Sequence, residues 1–349
     1  MQLLKTFTLL AALAGSALAD SPNHITYPPK DGPGKGKHIV FIAGDEEYRS
    51  EEGLPMLAKI VSQRHGFKTT VLFSLAADGT IDPNNTKSLA DSDQLDSADG
   101  IVLLTRFRKW PEADLKHFVD AVNRGVPIIG LRTATHALTG DAQKPFGDFG
   151  ENVLGENWVN HWGKHKIEAT RGIIEPGAKA DPLLNSVSGI FGLTDVYEAY
   201  PPADAKILVR GESVAGLTPD APAAKYERQR TPDKKTQGIN DPMMPIVWTR
   251  VNKNASGGTN KILVTTMGDA TDLESEGLRR LLVNGVYWGQ GLEIPAKADV
   301  TYVDEYKPSF YNGNGFRKGM RPADLALGKA MPGEPATPKP AGALVKEAR

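Results

Sequence analysis

No cysteine occurs anywhere in the 349 residues. Disulfides, thiolate metal sites and thiol catalysis are excluded together. Any chemistry must come from histidine, carboxylate, arginine, tyrosine or hydroxyl groups. An excess of charge of either sign is missing as well: 41 Lys and Arg against 42 Asp and Glu give a formal net charge of −1. No basic field exists to draw nucleic acid or an anionic membrane. Also lacking is a membrane-spanning run near the N-terminus, since a bilayer helix needs about 20 apolar residues and the stretch from Phe7 to Leu13 is shorter. That stretch follows Lys5 and precedes Ala17-Leu18-Ala19, the layout of a signal peptide with a small-x-small cleavage site. Residues 1–19 are expected to be removed after Ala19. The product would be a periplasmic or secreted protein beginning near Asp20, with no membrane attachment. A domain large enough to be held by its core can do without disulfides there.

What is present reads as one large domain with extensions. Residues 20–37, rich in Pro, Gly and Lys, read as a linker. Gly32-Pro33-Gly34-Lys35-Gly36-Lys37 looks superficially like a phosphate loop, but it precedes a strand where a phosphate loop follows one. His38 to Ala43, Lys68 to Phe73, Ile101 to Thr105 and Pro127 to Leu131 are short apolar strands. Helices separate them. One carries Leu54, Leu57, Ala58 and Val61 at helical spacing and ends at His65-Gly66. The other opens at Pro111, buries Leu115, Phe118, Val119 and Val122, and ends at Gly125. Apolar strands alternating with amphipathic helices predict an α/β fold whose parallel sheet is covered on both faces.

The pattern then loosens. Lys164 to Ala169, Thr194 to Tyr200, Lys206 to Arg210, Ile246 to Arg250 and Ile262 to Thr266 are candidate strands, and residues 213–242 read as a polar surface insertion. Thr271-Asp272-Leu273-Glu274 has the form of a capping box opening a helix to Trp288, stopped by Gly289. Residues 293–328 retain Tyr302, Tyr306, Phe310, Tyr311 and Phe316 and predict an irregular extension packed on the domain. Residues 329–349, Pro-, Ala- and Lys-rich, are not expected to order.

Polar groups gather where strands end. Asp45, Glu46, Glu47 and Tyr48 follow the first strand, Arg106 and Trp110 the third, and Arg132 and His136 the fourth. In an open α/β sheet such ends meet in a ligand crevice. Residues 127–137 resemble the sharp strand-to-helix elbow that usually carries a nucleophile, yet Arg132 and Thr133 occupy it. Arg132 is either a cation that holds substrate oxygens or the partner of Asp45, Glu46 or Glu47 in a structural ion pair. His136 faces either pocket or core. Asn157, Trp158, His161, Trp162 and His165 lie close together further on. The H-x3-H spacing of His161 and His165 suggests zinc only on a helix, which Gly163 opposes, and Trp162 stands where a zinc peptidase has its glutamate. The metal question therefore stays open, a divalent ion on His136, His161 and His165 against a sugar stacked on Trp158 or Trp162. Asp269 is kept as a pocket residue from an acidic cluster that helix capping otherwise explains.

Several segments together resemble the ThuA-like (trehalose utilisation) family of the class I glutamine amidotransferase-like superfamily. They are HIVFIAGDEEYRSEEGLPMLAKIV, VPIIGLRTATHA, GENWVNHWGKH, PIVWTR and MGDATDLESEGLRRLLVNGVYWGQG, and the likeness covers about residues 37–292. It implies a flavodoxin-like three-layer sandwich with a mostly parallel central sheet, and a role in carbohydrate catabolism. Glutamine hydrolysis is excluded, because the elbow cysteine of true amidotransferases is replaced by Arg132 and no other cysteine exists. The leading expectation is an enzyme acting on a sugar or keto-sugar. His136 or His161 would transfer protons with Glu47 or Asp45 as partner, while Arg132, Asp45, Tyr48, Arg106, Trp110, Asn157, Trp158 and Asp269 would bind substrate. The alternatives are a non-catalytic carbohydrate-binding protein and a divalent-metal-dependent hydrolase. Oligomeric state is not indicated.

Overall fold

The computed structural model describes residues 21–345; the expected signal segment, residues 1–19, lies outside them. In chain order the elements are β1 (His24–Tyr27), β2 (His38–Gly44), α1 (Ser50–His65), β3 (Lys68–Phe73), β4 (Gly100–Thr105), α2 (Glu112–Asn123) and β5 (Ile128–Leu131). There follow β6 (Asn160–His161), β7 (Ala169–Ile174), β8 (Phe191–Gly192), β9 (Tyr197–Glu198), β10 (Lys206–Val214), β11 (Glu227–Gln229) and β12 (Thr236–Gly238). Then come β13 (Met244–Lys253), β14 (Thr259–Thr265) and α3 (Glu276–Gln290).

The central strands run parallel in the order β3-β2-β4-β5-β14, the arrangement of a flavodoxin-like sheet. Antiparallel strands flank them on both sides: β1 beside β3, and β13, β10, β7 and β8 beyond β14. Side-chain alternation explains the three layers. Ile39, Phe41 and Ala43 of β2 join the apolar cluster containing α1 and α3, whereas Val40 and Ile42 join the cluster containing α2. β4 divides in the same way, with Val102 and Leu104 on one side and Ile101 and Leu103 on the other. Each central strand is apolar on both faces because both faces are covered. The α/β three-layer expectation is met, parallel in the centre and mixed overall.

Several local expectations are corrected. The linker contains β1, whose residues pair with Thr69 to Leu72 of β3. Lys164 to Glu168 is a turn, and Ala169 already opens β7: Lys166 sits at φ 64°, and the Lys164 carbonyl accepts from the backbone of Ile167 and Glu168. Of residues 194–200 only Tyr197–Glu198 is strand. The capping box forms a single 3-10 turn (Asp272–Glu274), and Ser275 caps α3, which passes through Gly289 and stops at Gly291. No long helix follows β5, only a 3-10 turn over Arg132–His136. The carbonyls of His136 and Ala137 are taken by the backbone amides of Phe107 and Arg108 (3.0 and 2.6 Å), so helical bonding cannot propagate. The tail differs too, since residues 330–345 lie along the domain. Ala336 donates to Ser309 Oγ, Phe310 to the Thr337 carbonyl, and Leu344 to the Leu217 carbonyl.

Candidate functional site

Beyond the carboxyl ends of β2, β4 and β5 the elbow turns at Arg132, which holds φ 43°. Left-handed backbone at a bulky residue costs of order 1–3 kcal/mol and is tolerated where the surroundings over-determine it. The surroundings do so here. The Arg132 guanidinium is fully buried and donates to the carbonyls of Asp195 (2.7 Å) and Thr266 (2.8 Å) and to Asp195 Oδ1 (3.0 Å). Its Cζ lies 3.6 Å from the centroid of the Tyr197 ring and 4.8 Å from that of Tyr48, a cation–π sandwich.

Asp195 has no exposed side-chain surface, and it also accepts from two histidines. His161 Nδ1 lies 2.8 Å from Oδ2, and His165 Nδ1 lies 3.1 Å from Oδ1. His161 is placed by β6 pairing with β9, opposite Tyr197. Gly163 allows the 161–165 turn to close over Asp195, because a Cβ there would come within 3.1 Å of the Asp195 Cβ. His165 Nε2 reaches Glu47 Oε1 (3.1 Å), and Glu47 Oε2 accepts from Arg106 (2.6 Å). Arg106 also pairs with Glu46. The result is one chain of charge, Arg132–Asp195–His165–Glu47–Arg106, with His161 hanging from Asp195. His161 Nε2 has no hydrogen-bond partner among the described residues, and the ring is 29 % exposed.

Rings line the open side. Centroids run from Phe107 to His136 (5.1 Å), Trp158 (5.4 Å), His161 (5.7 Å), His165 (4.3 Å) and Tyr311 (5.3 Å). Phe107 is 45 % exposed and Trp158 36 %, so part of each ring is open to solvent.

The electrostatics follow from these contacts. Burial would raise the Asp195 and Glu47 carboxyls, but their cationic neighbours win. Arg132 and the two histidines hold Asp195 well below the usual carboxylate range, and His165 with Arg106 holds Glu47 at about 2. Burial would lower His165, yet its bonds to Asp195 and Glu47 raise it. His136 goes the other way: burial first, then the Arg106 and Arg132 charges, press it down to about 3. It is a neutral imidazole at any ordinary pH. The ligand atoms of His161, His165 and Asp195 lie within 4.8 Å of one another and could converge on a divalent cation; His136 is not among them.

A family model described as trehalose utilisation (ThuA) matches residues 38–289, well over half of the chain. The chain belongs to the ThuA family. Among solved structures it is similar to a ThuA-like protein from Parabacteroides merdae, with 14% identity and a TM-score of 0.49, covering 75% of this chain and 92% of that one. A ThuA-like protein from Bacteroides uniformis also has 14% identity, with a TM-score of 0.45 over 75% of this chain and 94% of that one. No curated protein matches significantly.

In this ThuA chain the residues singled out from sequence divide sharply. Glu47, Arg106, His136, Trp158 and His161 are brought together around the opening. Tyr48 and Arg132 lie beneath it, buried. Arg132 is therefore shut off from the opening, and its ion-pair partner is Asp195 rather than Asp45, Glu46 or Glu47. Asp45 is a loop organiser: Oδ1 accepts from the amides of Glu47 and Tyr48, and Oδ2 from Thr133. Trp110 packs edge-on against Phe118 in the α2 core. Trp162 is buried with its indole bonded to the Ile239 carbonyl and offers no platform. Asn157 spends its amide on Asp148, and Asp269 accepts from Thr271 in a buried turn. Asp195, Tyr197, Phe107 and Tyr311 were not singled out. Asp195 did carry a signal, a carboxylate beside Val196 in a segment read as strand.

Proposed function

We propose that this chain is an exported protein of carbohydrate catabolism that acts on a sugar or keto-sugar by acid–base chemistry, with His161 as the proton-transferring group. The observation carrying the reading is the His161–Asp195 pair. A buried, permanently ionised carboxylate fixes Nδ1–H and leaves Nε2 available beside the exposed face of Trp158. Such a pairing sets the tautomer and supports the imidazolium formed when Nε2 takes a proton. Trp158 and Phe107 would stack on a pyranose face, and neutral His136 would accept or donate one hydrogen bond without adding charge. His165, raised by its bonds to two carboxylates, would when protonated supply the positive charge that an enolate beside a keto group needs. Isomerisation or elimination next to that group fits these parts, and glutamine hydrolysis does not, for want of a nucleophile at Arg132. His161→Ala and Asp195→Asn are expected to abolish turnover of a keto-disaccharide by the purified protein. Unchanged rates in His161→Ala would sink the assignment. Sugar-induced tryptophan fluorescence without product would favour a binding protein.

A second reading, a divalent-metal-dependent hydrolase, is supported by the convergence of His161, His165 and Asp195. It replaces His136 of the expected metal set with Asp195. Stoichiometric zinc or manganese by elemental analysis, lost in Asp195→Asn, would favour it; no uptake would remove it.

A further inference from the structure

Residues 309–317 lie beyond the 38–289 match of the family model, yet they touch the loop after β2, the turn bearing His165 and the segment bearing Asp195. The anchor is Glu52, a fully buried carboxylate on the first turn of α1. It accepts from the Ser309 amide and hydroxyl, both at 2.7 Å, and from Arg317 Nε at 3.0 Å. Arg317 in turn donates to the carbonyls of Lys307, Pro332 and Gly333, drawing the segment closed. Between the anchors, Asn312 donates from its backbone to the Glu47 carbonyl (3.1 Å), and its side-chain carbonyl accepts from Lys166 Nζ (2.8 Å).

Tyr311 occupies the centre. Its ring packs on His165 and Tyr48, at 5.3 Å in both cases. Its hydroxyl accepts from the Lys166 amide (3.1 Å) and donates to the Leu193 carbonyl (3.4 Å). Lys166 adjoins His165 and holds φ 64°, while Leu193 lies two residues before Asp195. One hydroxyl thus clamps the turn bearing His165 to the segment bearing Asp195.

We propose that residues 309–317 form a strap that completes the candidate site, with Tyr311 as the positioning residue that holds His165 between Asp195 and Glu47. The role attached to those groups rests on the acid–base reading, but the positioning does not require a substrate. The site is therefore assembled from two parts of the chain: strand-end loops supply the charges, and the C-terminal extension sets their geometry.

The test uses the chain from Asp20 onward, at one fixed pH with chelator present, and reads long-range proton–nitrogen spectra of the imidazoles. In the parent protein both His165 ring N–H protons are expected to be visible and protected from exchange. Tyr311→Phe keeps the ring and removes both hydroxyl bonds. It is expected to lose or broaden the His165 signals while leaving those of His24 and His117, bonded to Asp91 and Asp96 rather than to the strap or its partners, as they were. Glu52→Gln loosens the anchor and is expected to give the same selective loss. Unchanged His165 signals in both variants would overturn the proposal. So would a loss shared equally by His24 and His117, the mark of general loosening. A selective loss in a protein whose parent turns over no sugar would retain the strap and discard the acid–base reading.

Discussion

Asp195 bears more of the site than any other side chain, since one carboxylate balances buried Arg132 and orients His161 and His165. Removing its charge strands a buried cation, a change that typically costs about 3–5 kcal/mol. Asp195→Asn is accordingly expected to lower unfolding free energy by that order in a urea titration, well beyond the effect of Glu46→Gln at the half-open rim. pH sensitivity has a second residue-scale source. His136 is held at about 3 against an ordinary 6.5, so between these values the unfolded chain binds a proton that the folded chain refuses. The His136 contribution to stability is whole above pH 6.5 and falls as pH drops through that window, by as much as about 1.4 kcal/mol per unit. Glu47, held at about 2 against 4.5, contributes stability above pH 4.5 that is lost below it. Acid destabilisation below pH 6.5 is therefore expected to be shallower in His136→Gln than in the parent, with buried His38 and His65, also lowered, supplying what remains, as read by thermal melts across a pH series. At this scale the sequence was half legible. Clustering of Glu47, Arg106 and His136 followed from their places at strand ends, whereas Trp158 and His161 reach the same opening from a stretch that the strand pattern did not place. Arg132's partner did not, because Asp195 arrives from a segment outside the parallel core, and no local pattern signals that distance. Asp45 and Asp269 look like pocket acids in sequence. One oxygen of each accepts from turn amides two or three residues on, a use that short polar side chains have open to them.

Among the elements, the first half of the sheet was readable because its strands are apolar on both faces and its helices have clean stripes. Of residues 160–240 only β10 was, at Lys206 to Arg210, since two-residue strands such as β6, β8 and β9 carry no periodicity to read. The junction that decides the site's shape is the close packing of the β14 end against the elbow. Gly268 follows β14 at φ 134°, and a Cβ there would stand 2.7 Å from the Leu131 Cβ. Its neighbour Met267 accepts from the Arg132 amide through its carbonyl (3.1 Å). Gly268→Ala combines a strained backbone with a backbone-borne clash that no flexible side chain can absorb. It is expected to cost about 2–4 kcal/mol and to displace Arg132 along with Leu131. The check is a paired one: a lowered melting midpoint together with a changed near-ultraviolet circular dichroism from Tyr48 and Tyr197, the rings that sandwich the guanidinium. A lowered midpoint with an unaltered aromatic spectrum would mean that the elbow tolerates movement of β14.

At the scale of the molecule, the stretch shared with the ThuA family is not the whole folding unit. β1 covers the outer edge of β3, an edge that would otherwise offer unpaired backbone groups to another chain. Tyr27, from β1, is buried and donates to the Leu325 carbonyl (2.8 Å), which joins the N-terminal strand directly to the C-terminal extension. Lys59 on α1 donates to Asp304 (2.6 Å) and to the Ala326 carbonyl (3.0 Å), and Glu52 holds Ser309 and Arg317. Cutting the chain to residues 38–289 would uncover the β3 edge and leave Lys59 without its carboxylate. It would also turn the Glu52 carboxylate, now bonded within the protein, into a half-buried charge facing water on an apolar helix. The composition of both ends conceals this, because Pro, Gly, Ala and Lys describe a loop without saying whether its backbone is paired. A piece spanning residues 38–289 is therefore expected to self-associate and to melt without cooperativity. One spanning residues 20–345 should run as a compact species with a single sharp transition. Size-exclusion chromatography and thermal circular dichroism on the two pieces decide the matter. A monomeric, cooperative short piece would show that the ends are additions to a finished domain, whereas its failure would make them the closing layer of the fold and of the site together.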